Sequence, residues 1–314
     1  SVDVAKQVQE ESDLIDTNHK KALPKIFRHK YFRDAEKLDR VKSDRHALRT
    51  EENECLQKYK LGVLLGQGSN ATVRIGQSTS GELVAVKTYE KSKLKEIDKR
   101  ENVKREVELL NRISHPNIVH FIEAIETSTQ ISIITELLDN TSLMDVIKGS
   151  VTGKLSEHQA RPLFRELISA LHYLHEQNIL HRDIKLENIL VTKDQHVKLI
   201  DLGFSIESTG RLNIFCGTPS YIAPEVIQKK GYFGKPADVW SCGIVLYKML
   251  CGVFPFKGIN EKTLYSKISK GVFRFVGDVS MNAQILINSM LTPDPGSRAN
   301  LEQVLREPWM MEKS

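Results

Sequence analysis

The spacing of hydrophobic and polar positions changes along the chain. From residue 59 onward, apolar residues fall in short runs bounded by Gly, Ser or Asn, a pattern that predicts antiparallel strands joined by hairpins. A charged stretch at about 97–113 interrupts these runs and has the spacing of a helix. The predicted strands cover residues 60–65, 71–77, 83–89, 118–125 and 131–137.

From about residue 142 the pattern is mainly helical. Periodic stretches at 159–176 and 237–251 predict long helices, and short apolar runs near 189–191 and 197–200 predict two further strands. A small β-rich part is therefore followed by a larger helical part, which is an α+β organisation.

The chain divides into three segments by composition and pattern. We expect a two-lobed domain at 59–310, with a small lobe over about 59–137 and a larger, mainly helical lobe over about 138–310. Residues 1–58 differ from it, since they contain no Gly, one Pro, 13 Lys or Arg and 12 Asp or Glu. We interpret them as a charged, partly helical N-terminal extension, and 311–314 as a tail.

Charge is ordered within the N-terminal extension. Residues 1–16 carry five acidic residues and one Lys, whereas 20–33 carry six basic residues, three aromatic residues and no acid. Apolar residues after Pro24 recur at helical spacing, which predicts a helix that docks on the following domain or on a partner. Three alternatives stay open: a solvated tail, self-association as a coiled coil, and binding of 20–33 to a membrane or nucleic acid.

The composition narrows the class of protein. With 40% hydrophobic and 27% charged residues, the chain can bury a core, which excludes disordered and collagen-like classes. No apolar run approaches the roughly 18 residues of a membrane span, so no transmembrane segment is expected. The first residues do not resemble a signal peptide, and the four cysteines lack metal-ligand spacing, so we expect an intracellular protein, cytoplasmic or nuclear. A net charge of +5 is too small to indicate a nucleic-acid partner.

Three short motifs in the small lobe are each weak on their own. Residues 65–73 read LGQGSNATV, a turn whose glycines let the backbone approach phosphates but which also fits a plain hairpin. Lys87 ends the apolar run VAVK, where the alternative is a surface lysine. Glu106 lies on the charged helix and offers a carboxylate to pair with Lys87.

The run HRDIKLEN at 181–188 is decisive when it is combined with Asp201-Leu202-Gly203 further along the chain. Phosphoryl transfer needs a base near the incoming hydroxyl, cations across the phosphates and oxygen ligands for Mg²⁺. The chain supplies these groups, in turn, with Asp183, with Lys87 and Lys185, and with Asn188 and Asp201.

With these motifs in this order, the chain resembles the eukaryotic protein kinases over residues 59–310. Ala223-Pro224-Glu225, Asp238 and Arg298 extend the match. Lys185 and the segment 217–221 are similar to the serine/threonine type.

Other segments resemble one group within that family. The sequences HPNIV at 115–119, WSCG at 240–243 and PWM at 308–310 are similar to the calmodulin-dependent and AMP-activated kinase group. The segment 216–225 also resembles Polo-like kinases, so the subfamily stays open.

The resemblance implies a two-lobed protein kinase fold that uses ATP and Mg²⁺ and transfers the γ-phosphoryl group to Ser or Thr hydroxyls of protein substrates. The residues it implies for catalysis are Asp183 as the base, Lys185, Lys87 on the α- and β-phosphates, and Glu106 as the partner of Lys87. The Mg²⁺ ligands it implies are Asn188 and Asp201.

The resemblance also implies a nucleotide pocket, with Thr135 as the gatekeeper. The pocket residues are Leu65, Gly66, Gly68, Val73, Ala85, Lys87, Thr135, Glu136, Leu138 and Leu190. A stack of apolar side chains, the regulatory spine, is expected from Leu110, Phe121, His181 and Leu202.

Two departures from the family pattern change the expected regulation and selectivity. Ile214 occupies the position where many kinases of the group carry a phosphorylatable Thr, so we expect activity without a phosphate there. Ser205, Ser208 and Thr209 are alternative sites. Ser142 and Lys248 replace acidic residues that select arginine in relatives, so strict selection for arginine is not expected, although Asp145 and Glu187 remain. The competing function is a pseudokinase scaffold, which the complete catalytic set disfavours.

Overall fold

The computed structural model describes residues 58–68 and 71–312, so the predictions for the N-terminal extension fall outside the described residues. The small lobe is a five-stranded antiparallel sheet with the strand order β1-β2-β3-β5-β4. Its strands are β1 (Tyr59–Gln67), β2 (Ala71–Ser78), β3 (Leu83–Glu90), β4 (Phe121–Glu126) and β5 (Gln130–Glu136). The predicted β-rich lobe with antiparallel hairpins is confirmed.

Strand β4 begins three residues later than the prediction of 118–125. Ile118 is buried as the apolar pattern indicates, but it forms a parallel bridge with Leu199 of the larger lobe. The Val119 N–H donates to the Leu199 carbonyl at 3.0 Å, and the Leu199 N–H donates to the Asn117 carbonyl at 2.8 Å. Residues 117–119 therefore join the two lobes through backbone hydrogen bonds.

Helix α1 (Ile97–Arg112) lies against β4 and corresponds to the charged helix of the prediction. Val103, Leu109 and Leu110 are buried, and Glu106 is buried with them at 2% exposure. Positions 103, 106 and 110 are three or four residues apart, so they share one face of the helix. A carboxylate buried among aliphatic side chains needs polar partners, and Glu106 finds them on β3.

The larger lobe is mainly helical, which confirms the α+β expectation. Its helices are α2 (Leu143–Gly149), α3 (Glu157–Glu176), α4 (Pro224–Ile227), α5 (Gly234–Cys251), α6 (Glu261–Lys270), α7 (Met281–Met290), α8 (Leu301–Arg306) and α9 (Pro308–Met311). Its short strands are β6 (Asn140–Ser142), β7 (Ile179–Leu180), β8 (Ile189–Thr192), β9 (Val197–Leu199) and β10 (Ile206–Glu207). Strands β6, β8 and β9 form one small sheet, and β7 pairs with β10.

The two long helices have clear start and stop signals. Helix α3 begins at a capping box, in which the Ser156 hydroxyl accepts from the Gln159 N–H and the Gln159 side chain accepts from the Ser156 N–H. Helix α5 is the centre of the core, where Trp240 is fully buried. It ends at Gly252, whose φ of +70° and close approach to the Gly153 carbonyl leave no room for a side chain. None of the helices in the described ranges is long and apolar enough to cross a membrane.

A buried ion pair ties α4 to the segment before α8. Arg298 donates to Glu225 through Nη1 at 2.6 Å and through Nη2 at 2.8 Å, and it also donates to three backbone carbonyls. The Arg298 guanidinium lies 5.1 Å from the centroid of the Trp240 ring. Since every one of these donors has a partner, the two-point pair offsets the cost of removing both charges from water.

Replacing Arg298 tests the contribution of this pair. Arg298→Met is expected to lower the free energy of unfolding by about 3–5 kcal/mol, because it leaves the Glu225 carboxylate buried and unpaired. Urea unfolding of the full chain measures the change. Arg306→Met is the matched control, since its pair with Glu302 is exposed and is expected to contribute less than about 1 kcal/mol. Equal losses in the two variants would contradict the role given to the buried pair.

Candidate active site

A cavity of about 450 Å³ lies between the two lobes. This volume is within the range of about 300–1,000 Å³ that is usual for small-molecule sites. The sequence-predicted nucleotide residues that line it are Leu65, Gly66, Val73, Ala85, Lys87, Thr135, Glu136, Leu138 and Leu190. Gly68 is the exception, because it lies outside the wall of the cavity and its N–H donates to the Ala71 carbonyl at 2.8 Å.

The register of the sheet places the cavity-lining side chains of the small lobe. Val73 of β2 is opposite Lys87 of β3, and Ala85 of β3 is opposite Thr135 of β5. Because side chains alternate along a strand, Ala85 and Lys87 point to the same face of the sheet. Leu190 of β8 forms the opposite wall, in the larger lobe.

The connection between the lobes is held by the side chain of Glu136. Its Oε1 accepts from Lys198 of β9 at 2.7 Å and from the His120 N–H at 2.8 Å. Two residues further on, the Leu138 carbonyl accepts from the Asn140 side chain at 3.0 Å. The Leu138 N–H is therefore the backbone group of that residue which is available to a ligand in the cavity.

Lys87 joins three elements at the back of the cavity. Its Nζ lies 2.8 Å from Oε1 of Glu106 on α1 and 2.8 Å from Oδ1 of Asp201 in the larger lobe. The other oxygen of Glu106 accepts from the Tyr89 hydroxyl at 2.7 Å. The predicted pairing of Lys87 with Glu106 is thus present in the structure, and Asp201 extends it across the lobes.

The ionisation of this group follows from its neighbours. Burial alone lowers the pKa of Lys87, but the carboxylates of Glu106 and Asp201 outweigh it and hold that pKa well above its usual value. Burial raises the pKa of Asp201, but the Lys87 ammonium outweighs it and leaves that pKa below its usual value. The stability that Asp201 contributes is therefore present above the unfolded-state pKa of 3.8 and is lost as the pH falls through the lower folded-state value.

Asp183 lies at the centre of a second polar cluster. Its Oδ2 accepts from Lys185 Nζ at 2.5 Å and from Asn188 Nδ2 at 3.1 Å. Its Oδ1 accepts from the Thr218 hydroxyl at 2.9 Å. The loop after β7 therefore brings Asp183, Lys185 and Asn188 together, and Thr218 joins them from the segment before α4.

The loop that carries Asp183 is held by Asp238 of α5. The carboxylate of Asp238 accepts from the His181 N–H at 2.9 Å, from the Arg182 N–H at 2.8 Å and from the His175 ring at 2.9 Å. Burial raises the pKa of Asp238, but the hydrogen bonds, first that from His175, outweigh it and lower that pKa. Arg182 has a φ of +65°, a conformation that costs free energy for a residue with a side chain. Asp238 maintains this conformation because it accepts both N–H groups.

Asn188 and Asp201 are the residues that fit a divalent cation. Both hydrogen bonds of the Asn188 side chain use its amide nitrogen, so its amide oxygen is the atom left for a cation. Asp201 gives Oδ1 to Lys87 and the Gly203 N–H, which leaves Oδ2. Mg²⁺ is typically held by one or two protein oxygens together with substrate phosphates and water, so this donor set fits Mg²⁺. The described residues contain no cluster of three or more His, Cys, Asp or Glu that would form a complete protein cage.

The residues expected to form the regulatory spine lie inside the core. Leu110 and Leu202 belong to one buried hydrophobic cluster, and Phe121 packs against that cluster. His181 is fully buried, and burial lowers its pKa despite the nearby carboxylates of Asp238 and Asp183. An uncharged imidazole fits this apolar position.

Two polar contacts of the site were missed by sequence reasoning. Tyr89 lies two residues after Lys87 on the same strand, so the alternation of side chains was a signal that it would accompany Lys87. Thr218 had no such signal, because its contact with Asp183 joins residues 35 positions apart. Only the path of the segment before α4 brings it to the catalytic loop.

The geometry of these two clusters is that of a protein kinase, and comparison with known families agrees. Residues 59–310 match the protein kinase domain family, so the chain belongs to that family. It is similar to "CBL-interacting protein kinase 3" of Oryza sativa subsp. japonica, with 40% identity over 261 residues. It is also similar to "CBL-interacting serine/threonine-protein kinase 5" of Arabidopsis thaliana, with 40% identity over 260 residues.

The similarity to these two relatives covers 81% of this chain and 58% of each relative. A third, "CBL-interacting serine/threonine-protein kinase 13" of Arabidopsis thaliana, is 38% identical over 260 residues, which are 81% of this chain and 51% of the relative. The chain therefore spans somewhat more than half the length of the curated relatives that it matches.

Tyr89→Phe tests whether the second oxygen of Glu106 matters to the Lys87 pair. The variant is expected to lower the free energy of unfolding by about 1–3 kcal/mol, because a buried carboxylate oxygen loses its donor. It is also expected to weaken nucleotide binding, measured with a fluorescent ATP analogue, since Glu106 orients Lys87.

The control for this variant is Tyr59→Phe. The Tyr59 hydroxyl also donates to a carboxylate, that of Glu123, at 2.8 Å, but it lies outside the cavity wall. Nucleotide affinity that falls equally in both variants, or in neither, would contradict the role given to Tyr89.

Proposed function

We propose that this domain is an ATP- and Mg²⁺-dependent protein kinase that phosphorylates Ser or Thr side chains of protein substrates. The observation that carries the proposal is the arrangement of the two clusters, with Lys87 paired to Glu106 and Asp201, and with Asp183 beside Lys185 and Asn188. The relatives named as serine/threonine kinases support the same acceptor class.

The chain's own residues have distinct tasks in this reaction. Asp183 orients the acceptor hydroxyl and receives its proton as the hydroxyl oxygen bonds to the γ-phosphorus and the bond to the leaving ADP oxygen breaks. Lys185 lies beside Asp183 and neutralises charge on the transferring group. Lys87 holds the α- and β-phosphates, and Glu106 keeps its ammonium in place.

The nucleotide is expected in the cavity between the lobes. Val73 and Ala85 cover one side of the adenine ring and Leu190 covers the other, with the backbone of Glu136 and Leu138 at its polar edge. Asn188 and Asp201 would hold Mg²⁺, which neutralises phosphate charge when it is bound. These positions are those of the family's nucleotide site.

We further propose that the domain does not need a phosphate at position 214. Arg182, which binds such a phosphate in relatives, donates instead through Nε to the Phe204 carbonyl at 2.6 Å. The segment around Ile214 is held by Tyr232, whose hydroxyl donates to the Ile214 carbonyl at 3.0 Å and whose backbone makes two hydrogen bonds with Leu212. These contacts support an ordered segment without an added charge.

The location and the role of the extension are hypotheses of the same standing. The three described cysteines carry free thiols, which fits a reducing compartment, the cytoplasm or the nucleus. Residues 1–58 are proposed to dock on the kinase domain or on a partner.

Phosphate transfer from Mg·ATP to a mixed Ser/Thr peptide library tests the activity. Turnover by the purified full chain is expected to survive phosphatase treatment and to fall by about 10²-fold or more in Asp183→Asn, because the base is lost. The variant also controls for a contaminating kinase. Nucleotide binding without any transfer would favour the scaffold function. Loss of transfer after phosphatase treatment would contradict the independence from phosphate and would direct mapping to Ser208 and Thr209.

Tyr232→Phe tests what holds the segment around Ile214. The variant removes one hydrogen bond to a backbone carbonyl and is expected to lower kcat/KM about threefold to tenfold, since the segment becomes less ordered. Limited proteolysis is expected to cleave the variant faster within residues 205–216. A variant that matches the parent chain in both measurements would show that this hydroxyl does not order the segment.

A further inference from the structure

A second cavity, of about 380 Å³, lies in the larger lobe between the loop that follows α5 and the end of α6. Its wall contains no acidic residue. The cations that line it are Lys257, Lys267, Lys270 and Arg274. The rest of the wall is aromatic or aliphatic and includes Tyr247 and Phe254.

Two more lysines adjoin this cavity. The Nζ of Lys248 lies 5.2 Å from the centroid of the Phe254 ring, which is part of the wall. Burial, together with the positive charges of Lys257 and Lys148, lowers the pKa of Lys248, so these ammonium groups lie close enough to repel one another. The basic surface is defined here as Lys148, Lys248, Lys257, Lys267, Lys270 and Arg274.

The cations of the basic surface lack carboxylate partners within the described ranges. Other lysines of the molecule do have them: Lys87, Lys185 and Lys198 each pair with a carboxylate at 2.8 Å or less. Five of the six cations of the basic surface are exposed, and Lys248 is half-buried. A group of like charges without counter-charges destabilises the protein that carries it, and an anionic partner relieves the repulsion.

The basic surface lies close to the acceptor site. The ring of Phe254 meets the ring of Tyr221 edge to face at 5.4 Å. The Tyr221 hydroxyl in turn accepts from the Leu186 N–H at 3.3 Å, next to Lys185 in the catalytic loop. Two aromatic rings therefore separate Lys248 from the loop that carries Asp183, a span that one bound peptide covers.

We infer that the basic surface binds acidic side chains of the protein substrate, so that the domain selects Ser or Thr acceptors in acidic segments. This inference rests on the proposed kinase function and names the substrate class of that same site. Charge complementarity supports an acidic peptide, and the mixed wall of lysines and aromatic rings suits a polypeptide with both carboxylates and apolar side chains.

The test compares peptides that share one acceptor serine and differ in one position. Glutamate or glutamine is placed in turn at every position on both sides of the serine, and kcat/KM is measured for the full chain. At one side of the serine, glutamate is expected to raise kcat/KM about tenfold over glutamine at low salt, with the preference reduced at high salt. Arginine at the same positions is expected to lower kcat/KM.

Two charge-reversal variants locate the effect. Lys267→Glu combined with Lys270→Glu is expected to abolish the preference for glutamate and to leave kcat/KM for the glutamine peptides unchanged. Lys262→Glu is the matched control, because Lys262 is exposed on the same helix but outside the cavity wall, and it is expected to keep the preference. A preference for arginine in the parent chain, or an equal loss in both variants, would overturn the inference.

A binding measurement separates this inference from the proposed activity. An acidic peptide with alanine in place of the serine is expected to bind the parent chain and to lose affinity about tenfold in the double variant. If no peptide is phosphorylated but this binding is found, the kinase function fails and the acidic-peptide site stands. Absence of binding at low salt would overturn the site itself.

Other anionic occupants are distinguishable outcomes. If the acidic peptide binds only after residues 1–16 are deleted, the chain's own acidic segment is the occupant and the inference is overturned. Binding to phosphatidylserine vesicles that the double variant abolishes, without any preference for acidic peptides, would assign the basic surface to a membrane and would likewise overturn it.

Discussion

The ion pair between Lys87 and two buried carboxylates sets the condition for the rest of the structure. Glu106 is 2% exposed, so its charge is tolerable only where the ammonium and the Tyr89 hydroxyl meet it. These groups come from β3 and α1, and Asp201 comes from the larger lobe. The sheet, the helix and the two lobes must therefore dock in one arrangement for all three charges to be paired, and that arrangement also shapes the cavity between the lobes.

The larger lobe solves a similar problem with one carboxylate. The loop before β8 must present Asp183 to the cavity, and it does so with Arg182 in a strained conformation. Asp238, almost fully buried in α5, accepts the backbone N–H groups that this conformation exposes. A rigid central helix thus holds a loop whose own local preferences would not maintain it. Positioning, which is the main requirement of phosphoryl transfer, depends on this support.

Charge is treated differently at the centre and at the edge of the domain. Near the cavity, lysines and carboxylates are paired at hydrogen-bond distance, which fixes geometry. On the basic surface, lysines gather without counter-charges, and the lowered pKa of Lys248 reflects that repulsion. Paired charges position reacting groups, whereas unpaired charges at the edge are suited to attract a partner of opposite charge.

The sequence by itself determined the order of elements, the α+β class and most of the cavity wall. Apolar periodicity and short motifs are local signals, so strands such as β3 and residues such as Lys87, Asp183 and Asp201 were predictable. Only the tertiary structure decided which distant groups meet. Ile118 read as part of a strand, yet it bridges to Leu199; Thr218 reaches Asp183, and Lys148 lies near Lys248. These contacts depend on how packed helices and loops bring remote segments together, and no local pattern records that path.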